Sequence, residues 1–544
     1  MIFSPLVNYV LKNKFLFSIL FLYTLLMLSI IDWGIPNQNH PFSYQMDEWH
    51  QLQAVRATYS HFSPNVPGSA HGTMFHFILS GLYLIPFYLF GIINPFIIKS
   101  SVELLQIQQR LFEILRLNTL IFGLLSIFFI AKIAKEHLRI NQNIAIVLFV
   151  VTPLWLSLSN YFKYDIALIF WIILSLYYLL KFVSKPALRN YLIAGVFCAL
   201  SVATKISALP LLVIYIASFF LFSKKIKVKD LLLGLLVFSI IVIFLGIPDL
   251  ILGKGDYKEF LYSNLVSGSN GYNNLLTGFG ARWQYLIFRI FPIDFGYSFF
   301  VIYILGILYW IIFFVKNFLA KKLYLHKNEF FLLFCFLIFI ASLIPLMLGA
   351  NGNRLLVLLP FFALLTTSFI QKIKLRPFYF KWFINLVLVL ALLIQFYQSM
   401  ILIYIKWLPD ARAISSEWMR NNLAVGTVVG IENIPIYQLL PDVIVKEFYS
   451  RNGKFNYKVI DVSTASLPSV VIITNKELEL TFFKNSPKKQ LVYRLEKEGY
   501  KALVEFKPQK RLYLFFGNQL NFFASGLSPI PEITVFNRDN KNDI

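Results

Sequence analysis

Cysteine is nearly absent from this chain. Only Cys198 and Cys335 occur in 544 residues, both inside apolar runs, so a disulfide framework is excluded as the source of its stability. Charge is scarce as well: Asp, Glu, Lys and Arg make up 14% of the residues, against roughly 25% in a soluble domain. Acidic residues are the scarcer sign, 27 against 50 Lys and Arg. With 58% hydrophobic residues and a mean hydropathy of +0.67, a soluble globular protein is excluded and a polytopic membrane protein is indicated. The net charge of +23 does not point to nucleic acid. The basic residues sit in short clusters between apolar runs, where they set topology and meet anionic membrane lipids. No internal repeat is evident, which argues against inverted-repeat transporters.

Apolar runs long enough to cross a bilayer are present at 15–31, 74–98, 111–131, 143–160, 165–183, 190–204, 206–222, 231–251, 297–315, 329–349, 355–371 and 381–404. The nearly continuous run 190–222 is divided at Thr204-Lys205, because a lysine in mid-bilayer is costly. Lys12 and Lys14 precede the first run, and no small-residue cleavage site follows it, which favours a retained anchor. Placing every Lys/Arg cluster on the cytoplasmic side requires that one run does not cross. The run 74–98, interrupted by Pro86, Gly91 and Pro95, suits a re-entrant or interfacial helix. The expected fold is therefore mainly α: a bundle of about eleven transmembrane helices over 1–404, followed by a small soluble α/β domain over 405–544. That puts the N-terminus in the cytoplasm and the C-terminal domain outside a cell membrane, with outer loops at 32–110 and 252–296. The tail alternates strand-like runs ("GTVVGIE", "YKVIDV", "SVVIITN", "YKALVEF") with a charged helical stretch around Lys488–Gly499.

Residues 32–73, at the start of the first outer loop, hold an adjacent acid pair, Asp47 and Glu48, with Arg56 and four of the seven histidines. Adjacent acids near a membrane face suit a general base or a cation site; a solvated polar loop is the plainer alternative. Further ionisable residues stand at helix ends on the same expected face. Asp165 follows Lys163 in "SNYFKYDIALIF", where helix capping alone would explain the acid. Lys205 lies in "LSVATKISALPLL", where snorkelling would explain the lysine. Arg354 opens a helix in "GANGNRLLVLLPFF", and there the dipole disfavours a cation, so an anionic partner is expected. Two or three carboxylates and several cations at one face suit a reaction on a lipid-linked phosphate. The cations hold the phosphate, and a carboxylate takes a proton from an attacking hydroxyl.

At these residues the chain resembles the GT-C class of membrane glycosyltransferases, and within it the branch of protein O-mannosyltransferases and lipid A aminoarabinose transferases. The acid pair Asp47-Glu48 is followed by "PGSAHGTMFHFILSGLYL"; Asp165 opens an outer helix; Lys205 follows a small-residue helix; Arg354 heads "NRLLVLLP". The family's usual His-Pro-Pro run is replaced by Ala70-His71-Gly72. The resemblance implies a polyprenyl-phosphate sugar donor, a lipid, glycan or protein acceptor, and transfer with inversion. It implies Asp47 as general base with Glu48 and Asp165 in support, and substrate binding by Arg56, His71, His76, Lys163, Lys205 and Arg354. A divalent metal is left open; His50, His71 and His76 are its candidate ligands, although no tight spacing supports one. Two other classes remain: a flippase or transporter, and a polysaccharide polymerase or ligase, for which Arg282 and Arg289 in the loop 252–296 would serve.

Overall fold

The computed structural model describes residues 10–37, 40, 42–61, 73–95, 102–222, 227–248, 251, 284, 286–320, 326–346, 352–373, 378–431, 439–449, 457–462, 466–474, 487–507 and 531–538. Most of the loop 252–296, with Arg282, and all of 62–72, with His71, lie outside them. The chain divides into two compact units. The first comprises Met1–Ile31, His50–Gly91 and Ile114–Met400; the second comprises Asp32–Trp49, Ile92–Glu113 and Ile401–Ile544.

In chain order the helices are α1 (Lys14–Leu28), α2 (Met46–His61), α3 (Phe75–Leu89), α4 (Val102–Lys132), α5 (Gln142–Val150), α6 (Pro153–Ser159), α7 (Tyr164–Ser184), α8 (Leu188–Thr204), α9 (Pro210–Phe222) and α10 (Val228–Ile241). They continue with α11 (Tyr297–Leu319), α12 (Lys327–Leu346), α13 (Leu359–Ile373), α14 (Phe378–Trp407), α15 (Ala411–Asn422), α16 (Asp442–Tyr449) and α17 (Pro487–Lys497). Among the described residues, six helices are long and apolar enough to cross a membrane, or seven if the bent pair α5–α6 is one span. Four shorter apolar helices, among them α1 and α3, accompany them. The chain is thus a multi-pass membrane protein. At 15 residues, α3 is about 22 Å long, short of a bilayer core of about 30 Å.

Burial separates interior helices from lipid-facing ones. In α7, 83% of the apolar window is buried inside the protein, against 17% in the span that contains α10. A helix apolar all round, as α7 is, belongs in the middle. It packs along α8, which in turn packs on α10, while α11, α13 and α5 pack together. The division expected at Thr204-Lys205 is observed. Helix α8 ends at Thr204, Lys205 is extended, and a single 3-10 turn leads to Pro210 at the start of α9.

The run 143–160 differs from expectation: it is two helices bent by 66°. Pro153 at the first position of α6 has no N–H to continue α5, which forces the break. Breaking a helix in an apolar setting orphans carbonyls that must be satisfied inside the protein. Helix α14 supplies the donors. The Ser399 hydroxyl donates to the Val151 carbonyl at 2.6 Å, and the Gln395 amide donates to Val151 and Phe295 carbonyls at 3.1 and 3.0 Å. Gln395 lies so close to Gly296 that a Cβ there would meet it at 1.9 Å, and Gly296 has φ +87°. Only glycine fits that position.

The second unit contains a five-stranded sheet in the order β2-β1-β3-β5-β4, built from β1 (Val428–Ile431), β2 (Lys458–Asp461), β3 (Val470–Thr474), β4 (Tyr500–Phe506) and β5 (Ile533–Arg538). Strands β2, β1 and β3 are parallel, and β5 is antiparallel to both β3 and β4. The central strand "VVIIT" is buried along its whole length, as a strand covered on both faces must be. One side packs with Met419, Val443 and Ile444, the other with Leu491 and Leu495.

The segment Asp32–Trp49 belongs to this unit and carries a buried polar cluster. The Arg412 guanidinium lies 3.4 Å from the centre of the Tyr44 ring and donates two bonds of 2.6 Å to Asp410. The Tyr44 hydroxyl donates to Asp442 at 3.4 Å, and the His40 ring stands 3.9 Å from the same carboxyl. Burial pushes the Asp442 carboxyl up to about 7, with Asp410 adding to the rise; Arg412, Tyr44 and Arg420 oppose it. The unfolded carboxyl titrates near 3.9, so the folded state holds a proton that the unfolded state has lost. The contribution of Asp442 to stability is therefore full below about pH 4 and is lost as pH rises through about 7. We expect thermal unfolding of the purified protein to fall in temperature between pH 5.5 and 8. Asp442→Asn should flatten that dependence, which has an upper bound of about 4 kcal/mol. An unchanged slope in the variant would remove Asp442 as its cause.

Candidate functional site

The site in the first unit begins with local backbone. Lys163 is the extended N-cap residue of α7, and Asp165 stands in that helix's first turn, where the helix dipole favours a carboxylate. The extended N-cap lets the Lys163 side chain return over the helix end, and its Nζ lies 3.2 Å from Asp165 Oδ2. From the break between α8 and α9, Lys205 Nζ donates to Asp165 Oδ1 at 2.8 Å. Snorkelling does not account for Lys205, nor capping alone for Asp165. Two residues 40 apart in sequence form one ion group, with Lys163 the third member.

Exposure differs within the group. The side chains of Lys163 and Asp165 are 1% and 2% exposed, that of Lys205 is 21% exposed. Two ammonium groups around one carboxylate leave one positive charge in excess, and only Lys205 offers it to an outside anion. Its Nζ also lies 4.4 Å from the centre of the Tyr164 ring, which holds the cation by its π face.

Neighbouring elements fix this end of α7. The Tyr164 N–H, one of the unpaired donors at a helix start, donates to Gln51 Oε1 on α2 at 2.9 Å. The start of α3 is tied down by two bonds: the Thr73 hydroxyl donates to the Thr204 carbonyl at 2.8 Å, and the Met74 N–H to the Gly246 carbonyl at 2.9 Å. His76, one turn along, is stacked on Phe162 at 5.2 Å and edge-on to Tyr164 at 6.5 Å. It is buried, and neither of its ring nitrogens has a hydrogen-bond partner among the described residues. Arg354 stands on the 3-10 turn Gly352–Leu358, which packs on α7. Arg56 is buried on α2, and burial holds its guanidinium below its usual pKa.

The structure thus brings together Lys163, Asp165, Lys205 and His76, with the elements carrying Arg354 and Arg56 around them. Asp47 and Glu48 stand in the first turn of α2, within the second unit. There Glu48 is fully buried, and the Asp47 N–H is held by Gln45 Oε1 at 3.1 Å. For a divalent metal the fit is poor. Asp165 is committed to two ammonium groups, and among the described residues no three His, Cys, Asp or Glu side chains gather as a ligand set.

Sequence reasoning passed over three residues here. Arg116, buried on α4, donates to the Ile31 carbonyl at 2.6 Å and lies 5.6 Å from the Tyr161 ring. A charge at the edge of a long apolar run was the available signal. Asp294 is fully buried on the short turn Phe291–Phe295, which packs against the turn that carries Arg354. Gln51 has an ordinary polar side chain in a polar helix, and nothing in the sequence marks it.

Comparison with known proteins bears on this region. Residues 91–247 match the family of the dolichyl-phosphate-mannose-protein mannosyltransferases. The match bears out the resemblance drawn from the sequence, and with it the reading of the chain as a membrane glycosyltransferase. Lys163, Asp165 and Lys205 fall inside the matched stretch; Asp47, Glu48 and Arg354 fall outside it. No curated protein sequence matches the chain. Among solved structures, the chain is similar to the oligosaccharyltransferase AglB of Archaeoglobus fulgidus in complex with an inhibitory peptide and a dolichol-phosphate. The identity is 12%, over 94% of this chain and 78% of that one, with a TM-score of 0.43. It is also similar to ArnT from Cupriavidus metallidurans bound to undecaprenyl phosphate, at 10% identity over 97% and 98% of the chains, with a TM-score of 0.44.

Proposed function

We propose that this membrane glycosyltransferase moves a sugar from a polyprenyl-phosphate donor to an acceptor hydroxyl at the outer face of the membrane, with inversion. The observation that carries the reading is the Lys163–Asp165–Lys205 group, which offers one accessible ammonium inside the stretch that matches the mannosyltransferase family. In this reading the N-terminus is cytoplasmic and the C-terminal domain extracytoplasmic. The Asp47 carboxylate takes the acceptor's proton as its oxygen attacks the anomeric carbon. The bond from that carbon to the phosphate oxygen breaks, and its electron pair leaves with the polyprenyl phosphate. Lys205 meets the negative charge that grows on the phosphate. Glu48 supports the base, Asp165 positions Lys205, and Arg56, His71, His76, Lys163 and Arg354 are the further residues assigned to substrate binding. A lipid, a glycan and a protein are all acceptors of suitable chemistry.

Membranes containing the protein should consume a radiolabelled polyprenyl-phosphate sugar and release polyprenyl phosphate, and should leave a nucleotide sugar untouched. Consumption of the nucleotide sugar in washed membranes free of lipid-linked donor would overturn the donor class.

A further inference from the structure

Away from that site, the first unit contains a cavity of about 310 Å³ bounded by α1, α5, α11, α13 and α14. Phe15, Val147, Leu148, Ile302, Ile370 and Leu392 are among the residues that wall it, and only Asn143 and Asn385 bring polar groups. Its apolar walls offer water few hydrogen-bond partners. Helix α14 is lipid-facing beside it: Val389, a wall residue, is 52% exposed, and Leu390 and Leu393 are exposed as well. The surroundings able to fill such a cleft are hydrocarbon chains of the bilayer.

Its polar end is defined by sequence position. Asn143 is in the first turn of α5, Phe15 follows Lys14 at the start of α1, and Ile370 precedes Lys372 at the end of α13. Lys135 and Gln142 meet at Asn13 Oδ1, at 3.1 and 3.4 Å. Lys14 and Lys372 thus stand within two residues of wall residues at this end of the cleft. There the Asn143 side-chain oxygen is buried without a hydrogen-bond partner among the described residues. A buried acceptor lacking a donor is costly, and a hydroxyl would satisfy it. In the proposed topology this end lies on the cytoplasmic side, beside Lys135 and Arg139, whereas the Asp165 group belongs to the outer face.

We infer that this cleft is a binding site for an anionic glycerophospholipid. One acyl chain fills the cavity, the phosphate faces Lys14 and Lys372, and a headgroup hydroxyl donates to Asn143 Oδ1. The ligand is distinct from the sugar donor, whose phosphate belongs at the other end of the span.

The test uses the full chain, purified in mild detergent and titrated with phosphatidylglycerol, phosphatidylcholine or undecaprenyl phosphate under native mass spectrometry. Two lysines near an anionic headgroup should give phosphatidylglycerol a preference of roughly tenfold or more over phosphatidylcholine. Val147→Trp, which fills the cavity, should abolish retention. The pair Lys14→Ala and Lys372→Ala, which leaves the walls intact, should keep the chain but lose most of the headgroup preference. Equal retention by a folded Val147→Trp protein would overturn the site. So would a preference unaltered by the lysine pair, which also decides the matter if Val147→Trp fails to fold. Displacement of phosphatidylglycerol by undecaprenyl phosphate in one-to-one competition would instead assign the cleft to the donor and equally overturn it.

Discussion

Asp47→Asn should reduce sugar transfer by about 10²- to 10⁴-fold, the range expected when a positioned general base is removed. The amide keeps the shape of the side chain but cannot take a proton from the acceptor. The structural cost is small. Asp47 is half-buried in the first turn of α2, and loss of its charge there is worth about 0.3–1 kcal/mol of helix stability. Membrane levels and melting temperature should stay near wild type, and donor affinity should change little, because the effect is on the chemical step. Radiolabelled transfer into product, measured at saturating donor, gives the answer. Transfer at a wild-type rate would remove Asp47 as the base. Glu48 is a poorer probe, because it is fully buried and its substitution reports on folding first.

Asp165→Asn should show the second large effect, by a different route. It leaves Lys163, 1% exposed, and Lys205 facing each other without their carboxylate. Removing one partner of a buried ion pair costs about 3–5 kcal/mol, most of it from the uncompensated charge left behind. The single variant should therefore be poorly folded as well as inactive. Adding Lys163→Met removes the buried cation and should recover melting temperature, yet transfer should stay low, since Lys205 has lost the carboxylate that aims it. Recovery of both stability and transfer in the double variant would make Asp165 and Lys163 purely structural.

Several elements were legible in advance because one-dimensional signals specify them. The break at Lys205 was readable because an ammonium group cannot sit within a hydrocarbon layer. Strands β1 to β4 followed from short β-branched runs between turn residues, and α17 from a charged helical stretch. The last strand was missed. The place of "ITVFNR" between β3 and β4 is a pairing that no local pattern encodes. The run 143–160 was read as one crossing because its hydropathy is continuous; Pro153 turns it by 66°. That bend is stable only because Gln395 and Ser399, more than two hundred residues later, satisfy its carbonyls.

Composition and the spacing of apolar runs determined that this chain lives in a bilayer, that its helices carry charge at their ends, and that Asp165 and Lys205 needed explaining. These are local consequences of transfer energies, and a sequence states them directly. Which charges meet was decided only in three dimensions. Lys163 folds back on Asp165, Lys205 arrives from another helix end, and Arg412 seats on Tyr44 far along the chain. Ion pairing depends on distances of a few ångströms, and packing sets those distances.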